Sequence, residues 1–225
     1  MKVITFFNNK GGVGKTTTIV NLASYLSISK EKKILLVDLD PQSNATQAIL
    51  PEDMWMEFYD PENPETRKTI YDCFSKIEDG DSEFVNIDIP VTSSQNNFKI
   101  ALIPGHPKLS IIDDTMSKSW AETMSGDKGA LRKLNWLNQL KQENSEFDYI
   151  LIDCPPSLGL IVDNALYASD SVIIPVECGY YSYDALTQPF SERTDGLVLI
   201  PALFIAFNAA ASLVNGIKNP NTFPE

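Results

Sequence analysis

Lys2-Val3-Ile4-Thr5-Phe6-Phe7, followed directly by Asn8-Asn9-Lys10-Gly11-Gly12-Val13-Gly14-Lys15-Thr16-Thr17, is the stretch that decides the fold. Lys2–Phe7 is a continuous apolar run, the pattern of a strand covered on both faces. Asn8–Gly14 is a glycine-rich turn, and Thr16–Ser29 carries Ile19, Leu22, Ala23 and Leu26 at helical spacing. A second buried strand is expected over Lys33–Leu39. Strand, turn, helix and strand in close succession make a parallel βαβ unit.

Gly11–Thr17 fits the end of the pattern G-x-x-x-x-G-K-[ST], with Asn9 where the first glycine would stand. Small residues at Gly11, Gly12, Val13 and Gly14 let backbone N–H groups turn inward around phosphate oxygens, and the helix that follows adds its positive N-terminus. In this pattern Lys15 bridges the β- and γ-phosphates and the Thr16 hydroxyl ligates Mg²⁺. Thr17 is placed for the α-phosphate. A glycine-rich turn that merely packs is the competing reading, and the flanking strand and helix argue against it.

Working outward, strands are expected at Phe98–Ile103, Tyr149–Ile152, Ser171–Val176 and Leu197–Ala206. Helices are expected at Leu131–Gln142, Ile161–Ala168 and Tyr183–Phe190. This alternation predicts one α/β domain over residues 1–225: a doubly wound, mostly parallel sheet with helices on both faces. Residues 51–96 break the pattern, being acidic, rich in Pro and Asp, and carrying Met54-Trp55-Met56-Glu57-Phe58. A surface excursion whose aromatics fold back onto the body is favoured, since Trp and Phe are usually buried. A partner-binding insertion is the sharper alternative.

The 225 residues, 43% of them hydrophobic, suffice for one sizeable core. Net charge is -12, and Pro51 to Pro90 holds twelve acidic residues against Arg67, Lys68 and Lys76, which leaves the remainder nearly neutral. An acidic surface repels nucleic acid at long range, so charge does not support nonspecific DNA binding. No apolar stretch reaches the ~20 residues that span a bilayer, and no signal segment is recognised, so a cytoplasmic protein with no membrane partner is expected. Cys73, Cys154 and Cys178 are far apart and read as small buried residues rather than a disulfide framework or zinc site. His106, in Pro104-Gly105-His106-Pro107, reads as a loop residue rather than a catalyst.

The string from Lys10 to Thr17 resembles the deviant Walker A motif of the ParA/MinD ATPases, a SIMIBI-class P-loop NTPase family. Val37-Asp38-Leu39-Asp40-Pro41-Gln42-Ser43-Asn44-Ala45 resembles that family's switch segment, with Ser43 in place of its usual glycine. Tyr149-Ile150-Leu151-Ile152-Asp153-Cys154-Pro155-Pro156-Ser157 resembles its Walker B strand. Pro175–Tyr181 is similar, more loosely, to a segment near the family's dimer interface. The likeness extends from Met1 to Leu186; the chain beyond about residue 187 is short or divergent, and there Asn208 would be the candidate for the family's adenine-contacting Asn.

The resemblance implies roles for named residues. Lys10 would reach across a two-fold interface to the partner's nucleotide, and Asp40 would position the attacking water. Asp38 would support the magnesium shell, and Asp153 would hold a magnesium-bound water. Carboxylates at the C-terminal ends of parallel strands do face the ligand crevice. The implied function is an ATP-binding and ATP-hydrolysing homodimeric switch, slow and Mg²⁺-dependent, in plasmid or chromosome partitioning. A centromere-binding or other stimulating protein would be its partner. The alternative is a nucleotide-gated adaptor or assembly factor that positions a protein cargo without DNA.

Overall fold

The N-terminal apolar run forms β1 (Lys2–Phe6), and the helix after the glycine turn is α1 (Lys15–Ser29). In a computed structural model the described residues are 1–59, 68–74, 87–89, 91–92, 99–124, 136–176 and 197–201. Chain order continues with β2 (Ile34–Asp38), α2 (Asn44–Ile49), α3 (Glu52–Met56), a 3-10 turn at Glu57–Tyr59 and α4 (Ile70–Cys73). Next come β3 (Ala101–Ile103), α5 (Leu109–Met124), α6 (Trp136–Glu143), β4 (Tyr149–Asp153), α7 (Leu160–Ala168), β5 (Ser171–Val176) and β6 (Leu197–Pro201). The strands form one sheet in the order β3-β2-β4-β1-β5-β6, every neighbour parallel.

Strand side chains alternate between two cores, because successive residues point to opposite faces. Leu35, Val37, Ile150 and Ile152 join Ile112, Met116, Leu137, Leu140, Ile161 and Ala165, so α5, α6 and α7 cover one face. Leu36, Leu102 and Leu151 join Ile19, Val20, Ala23, Ala45 and Ile49, so α1 and α2 cover the other. All five residues of β2 are buried. Burying one such Leu or Ile contributes about 1.5–3 kcal/mol, which is why these strands read as unbroken apolar runs.

Four helices escape the sequence reading: α2, α5, and α3 and α4 in the acidic excursion. In α5, Leu109, Ile112 and Met116 are buried at helical spacing, but the Ser, Asp and Thr residues between them dilute the signal. The short α2 follows the Asp-Pro turn and has only Ala45, Thr46 and Ile49 buried. The acidic excursion is less irregular than its composition suggests, since α3, the 3-10 turn and α4 lie within it. Phe58 is buried, and Met54, Trp55 and Tyr59 pack partly buried on the core beside it; this is the fold-back arrangement, with Met56 and Glu57 exposed. The expected helix at Tyr183–Phe190, Cys178 and Asn208 lie outside the described residues.

A long-range contact starts α7. Its N-cap, Gly159, brings no capping side chain, and Asp113 of α5 supplies one by accepting the Ile161 N–H at 3.0 Å. A Cβ on Gly159 would stand 2.1 Å from Asp113 Oδ2, so only glycine allows this approach. Asp113→Ala is expected to destabilise the protein by about 1 kcal/mol, as loss of a helix cap does. A lowered urea midpoint at unchanged slope is the readout; an unchanged midpoint would remove this cap from the account.

Candidate nucleotide site

β1 lies between β4 and β5. The connection leaving β1 runs out to β2, whereas the one leaving β4 crosses back to β5. Loops therefore part above the carboxyl end of β1, where open α/β sheets bind ligands. The glycine loop follows β1, Asp38 ends β2, and Asp153 ends β4. Asp38 is paired in register with Asp153, and Asp153 with Phe6 of β1, so residues far apart in sequence meet at one rim.

Within the loop, Gly12 (φ 76°) and Gly14 (φ 84°) hold left-handed backbone that L side chains resist. Asn8 ties the loop down. Its Oδ1 accepts the Lys10 N–H at 2.9 Å, and its Nδ2 donates to the Pro175 carbonyl of β5 at 2.7 Å. Lys15 is buried, and its Nζ donates to the carbonyls of Asn8 (3.1 Å) and Lys10 (3.2 Å). Burial lowers the Lys15 pKa, with the charges of Asp153 and Asp40 acting the other way. α1 begins with neither a capping side chain nor an acidic residue in its first turn. Its leading N–H groups thus remain for an anion. Val13 is buried beneath the loop, while Lys10, Gly11, Gly12 and Thr17 are exposed on it.

Opposite the loop stand three carboxylates. Thr16 Oγ1 donates to Asp153 Oδ2 at 2.8 Å across 137 residues of sequence. The other Asp153 oxygen is buried with no hydrogen-bond partner. Burial, then the negative charge of Asp38, raises the Asp153 pKa well above the ordinary carboxylate range. A buried carboxylate oxygen with no donor, next to a threonine hydroxyl, has the donor chemistry for Mg²⁺. Among the described residues no group of three or more His, Cys, Asp or Glu is placed to hold a metal ion unaided. That suits an ion held by one or two protein ligands plus phosphate oxygens.

Asp38 is fully buried with both oxygens engaged. Oδ1 accepts the Asp40 N–H at 3.1 Å, and Oδ2 accepts the Thr46 N–H at 2.8 Å and hydroxyl at 2.7 Å. Burial raises its pKa to about 6 against the pull of these bonds. Asp40 is 6% exposed, and its Oδ1 accepts the Gln42 N–H at 2.9 Å.

An AAA domain model matches residues 1–194. Soj, the sporulation initiation inhibitor protein of Bacillus subtilis, is 38% identical over 192 residues, 83% of this chain and 62% of Soj. The chromosome partitioning protein ParA of Myxococcus xanthus is 35% identical over 191 residues, 83% of this chain and 56% of that protein. The chain belongs to the ParA/MinD-type P-loop ATPases. A plasmid partition protein of Borrelia burgdorferi, solved with AMPPNP bound, superposes with a TM-score of 0.62 at 28% identity. That superposition covers 89% of this chain and 75% of the Borrelia protein. The chain therefore spans about three fifths of the length of the curated relatives it matches.

Set in the ParA-type frame, Lys15, Thr16, Asp38, Asp40 and Asp153 gather at one rim, and Lys10 lies exposed beside them. Ser43 occupies the position of the family's usual glycine with φ 52°, a left-handed backbone that accounts for the glycine preference. Its buried Oγ has no partner. Sequence reasoning missed Asn8, Thr46 and Gly105, whose partners are set by the folded chain. His106 is a loop residue stacked on Tyr71 (5.1 Å between centroids) and tilted against Tyr59 (5.6 Å). Cys73 and Cys154 are buried free thiols whose pKa values burial pushes up. No helix among the described residues is long and apolar enough to cross a membrane.

Proposed function

We propose that this chain binds ATP and magnesium at Lys10–Thr17 and hydrolyses the ATP as a nucleotide-dependent homodimer, a cytoplasmic switch in plasmid or chromosome partitioning. The observation that carries this is the Thr16–Asp153 bond beside a buried carboxylate oxygen that lacks a donor. Gly11, Gly12, Val13, Gly14 and Thr17 would wrap the phosphates in backbone and hydroxyl donors. Lys15 would exchange the carbonyls of Asn8 and Lys10 for β- and γ-phosphate oxygens, which bind an ammonium more strongly. Thr16 and Asp153 would hold the ion, directly or through its waters, with Asp38 behind them; when bound it supplies positive charge at the phosphates.

Asp40, at the crevice rim, would orient a water in line with the γ-phosphorus. Attack forms the new P–O bond as the bond to the β-phosphate oxygen breaks, leaving ADP and inorganic phosphate. Lys10 from the partner subunit would meet the same phosphates, making closure of the dimer depend on ATP. Turnover would stay slow until a centromere-binding or other stimulating protein docks. Relatives named for chromosome and plasmid partitioning support that setting.

Sizing the protein with ADP and with AMPPNP tests the switch. A dimer is expected with AMPPNP alone, and Lys10→Ala is expected to stay monomeric while still binding the analogue. A wild-type monomer under both conditions would overturn the dimer. The acidic, exposed Glu52, Asp53 and Glu57 favour a second reading, an adaptor that positions a protein cargo without DNA. Salt-sensitive, ATP-dependent binding to nonspecific DNA would support partitioning, and no binding at low salt would support the adaptor.

A further inference from the structure

Thr46, in α2, occupies a position that the roles above leave unused. Its hydroxyl donates to Asp38 Oδ2 at 2.7 Å and accepts the Gly105 N–H at 2.9 Å. Its backbone N–H gives Asp38 Oδ2 a second bond. On the far side, the Gly105 carbonyl accepts the Tyr59 hydroxyl at 3.1 Å. Asp38 Oδ1 in turn accepts the Asp40 N–H. One unbroken chain therefore runs from Tyr59 in the acidic excursion through Gly105, Thr46 and Asp38 to the backbone of Asp40. The Gly105 N–H can only donate and an ionised Asp38 can only accept, so the Thr46 hydroxyl points its proton at Asp38.

The packing is as tight as the bonding. A Cβ on Gly105 would stand 2.9 Å from Ser43 Oγ, 3.0 Å from Asp38 Cγ and 3.1 Å from the Asp40 carbonyl. The loop after β3 thus lies directly against the segment that carries both carboxylates. Thr46, Asp38 and Gly105 are all buried, so water cannot replace a lost partner, and a missing bond must be met by movement.

We propose that Thr46 is a positioning residue for Asp38 and Asp40, and that the Tyr59–Gly105 contact links the acidic excursion to the rate of ATP hydrolysis. Thr46 acts through Asp38, whose carboxylate it holds and which in turn fixes the Asp40 backbone N–H. The proposal rests on the ATPase reading above, and it assigns the excursion a part in turnover beside its packing on the core.

The test compares Thr46→Val, Thr46→Ser and Tyr59→Phe in the full chain, measuring AMPPNP affinity and steady-state ATP turnover with magnesium. Valine keeps the shape, strands the Gly105 N–H and removes one donor from Asp38. Its affinity should stay within about threefold of wild type while kcat falls roughly tenfold or more, the effect of losing a hydrogen bond to a charged group. Serine, which restores the hydroxyl, should recover kcat to within about threefold. Tyr59→Phe should lower kcat by about two- to fivefold at unchanged affinity. Unchanged kcat in Thr46→Val, or equal losses in the Val and Ser variants, would overturn the proposal. Should Thr46→Val not fold, Tyr59→Phe decides alone, and an unchanged kcat overturns it. A wild-type chain that binds AMPPNP but turns over no ATP would instead overturn the ATPase reading and this proposal with it.

Discussion

Lys15→Ala is expected to abolish nucleotide binding while leaving the fold in place. The Lys15 ammonium is buried, held over the loop by two carbonyls, and flanked by the charges of Asp153 and Asp40. Bound phosphates would give it charge-assisted bonds worth about 1.5–3 kcal/mol each, so losing two weakens affinity by roughly 10²–10⁴-fold. The backbone of the loop is set by Gly12, Gly14 and Asn8, none of which contacts the Lys15 ammonium through its side chain. Thermal unfolding reports both halves. Saturation near 100 times Kd should stabilise wild type by about 2.7 kcal/mol, and the variant should show no such gain at the same concentration. A preserved nucleotide-induced shift in Lys15→Ala would take the phosphate site away from this loop.

Asp40 carries the second large effect. Asp40→Ala should keep AMPPNP binding and accumulate the ATP-bound dimer, while turnover falls by about 10²–10⁴-fold, the usual contribution of a positioned carboxylate to proton and water handling. Alanine also removes the acceptor for the Gln42 N–H, which closes the turn before α2. Asp40→Asn separates the two losses. The amide oxygen can still accept from Gln42, so the turn should survive, but the negative charge facing the water is gone. Turnover as low in the Asn variant as in the Ala variant assigns the effect to the carboxylate. Wild-type turnover in either would remove Asp40 from the reaction.

Much of the fold was legible along the chain, for one physical reason. Strands covered on both faces must be apolar throughout, and Ser171–Val176 is found where its run of apolar residues puts it. Boundaries elsewhere moved by one to three residues: Lys33 and Leu39 fall outside β2, β3 starts at Ala101 rather than Phe98, and Asp153 completes β4. α5 was missed although Leu109, Ile112 and Met116 carry the period, because its buried stripe is narrow and its other faces polar. The aromatics of the excursion sit on the core because burying Phe58 and part of Trp55 offsets the ordering of a short acidic segment.

By itself the sequence determined the chemistry that a few consecutive residues can complete. Left-handed glycines and a lysine at the first position of a helix follow from local backbone geometry, so the loop Gly11–Thr17 was legible from its own residues, whereas Lys10, Asp38, Asp40 and Asp153 were singled out through the family resemblance. Only the tertiary structure decided how those groups are held. Thr16 meets Asp153, Asn8 meets Pro175, and Tyr59 reaches Asp38 through Gly105 and Thr46, because parallel pairing sets strands distant in sequence side by side at one rim. A side-chain hydrogen bond depends on ångström-scale placement of both partners, and no local period in the sequence records it.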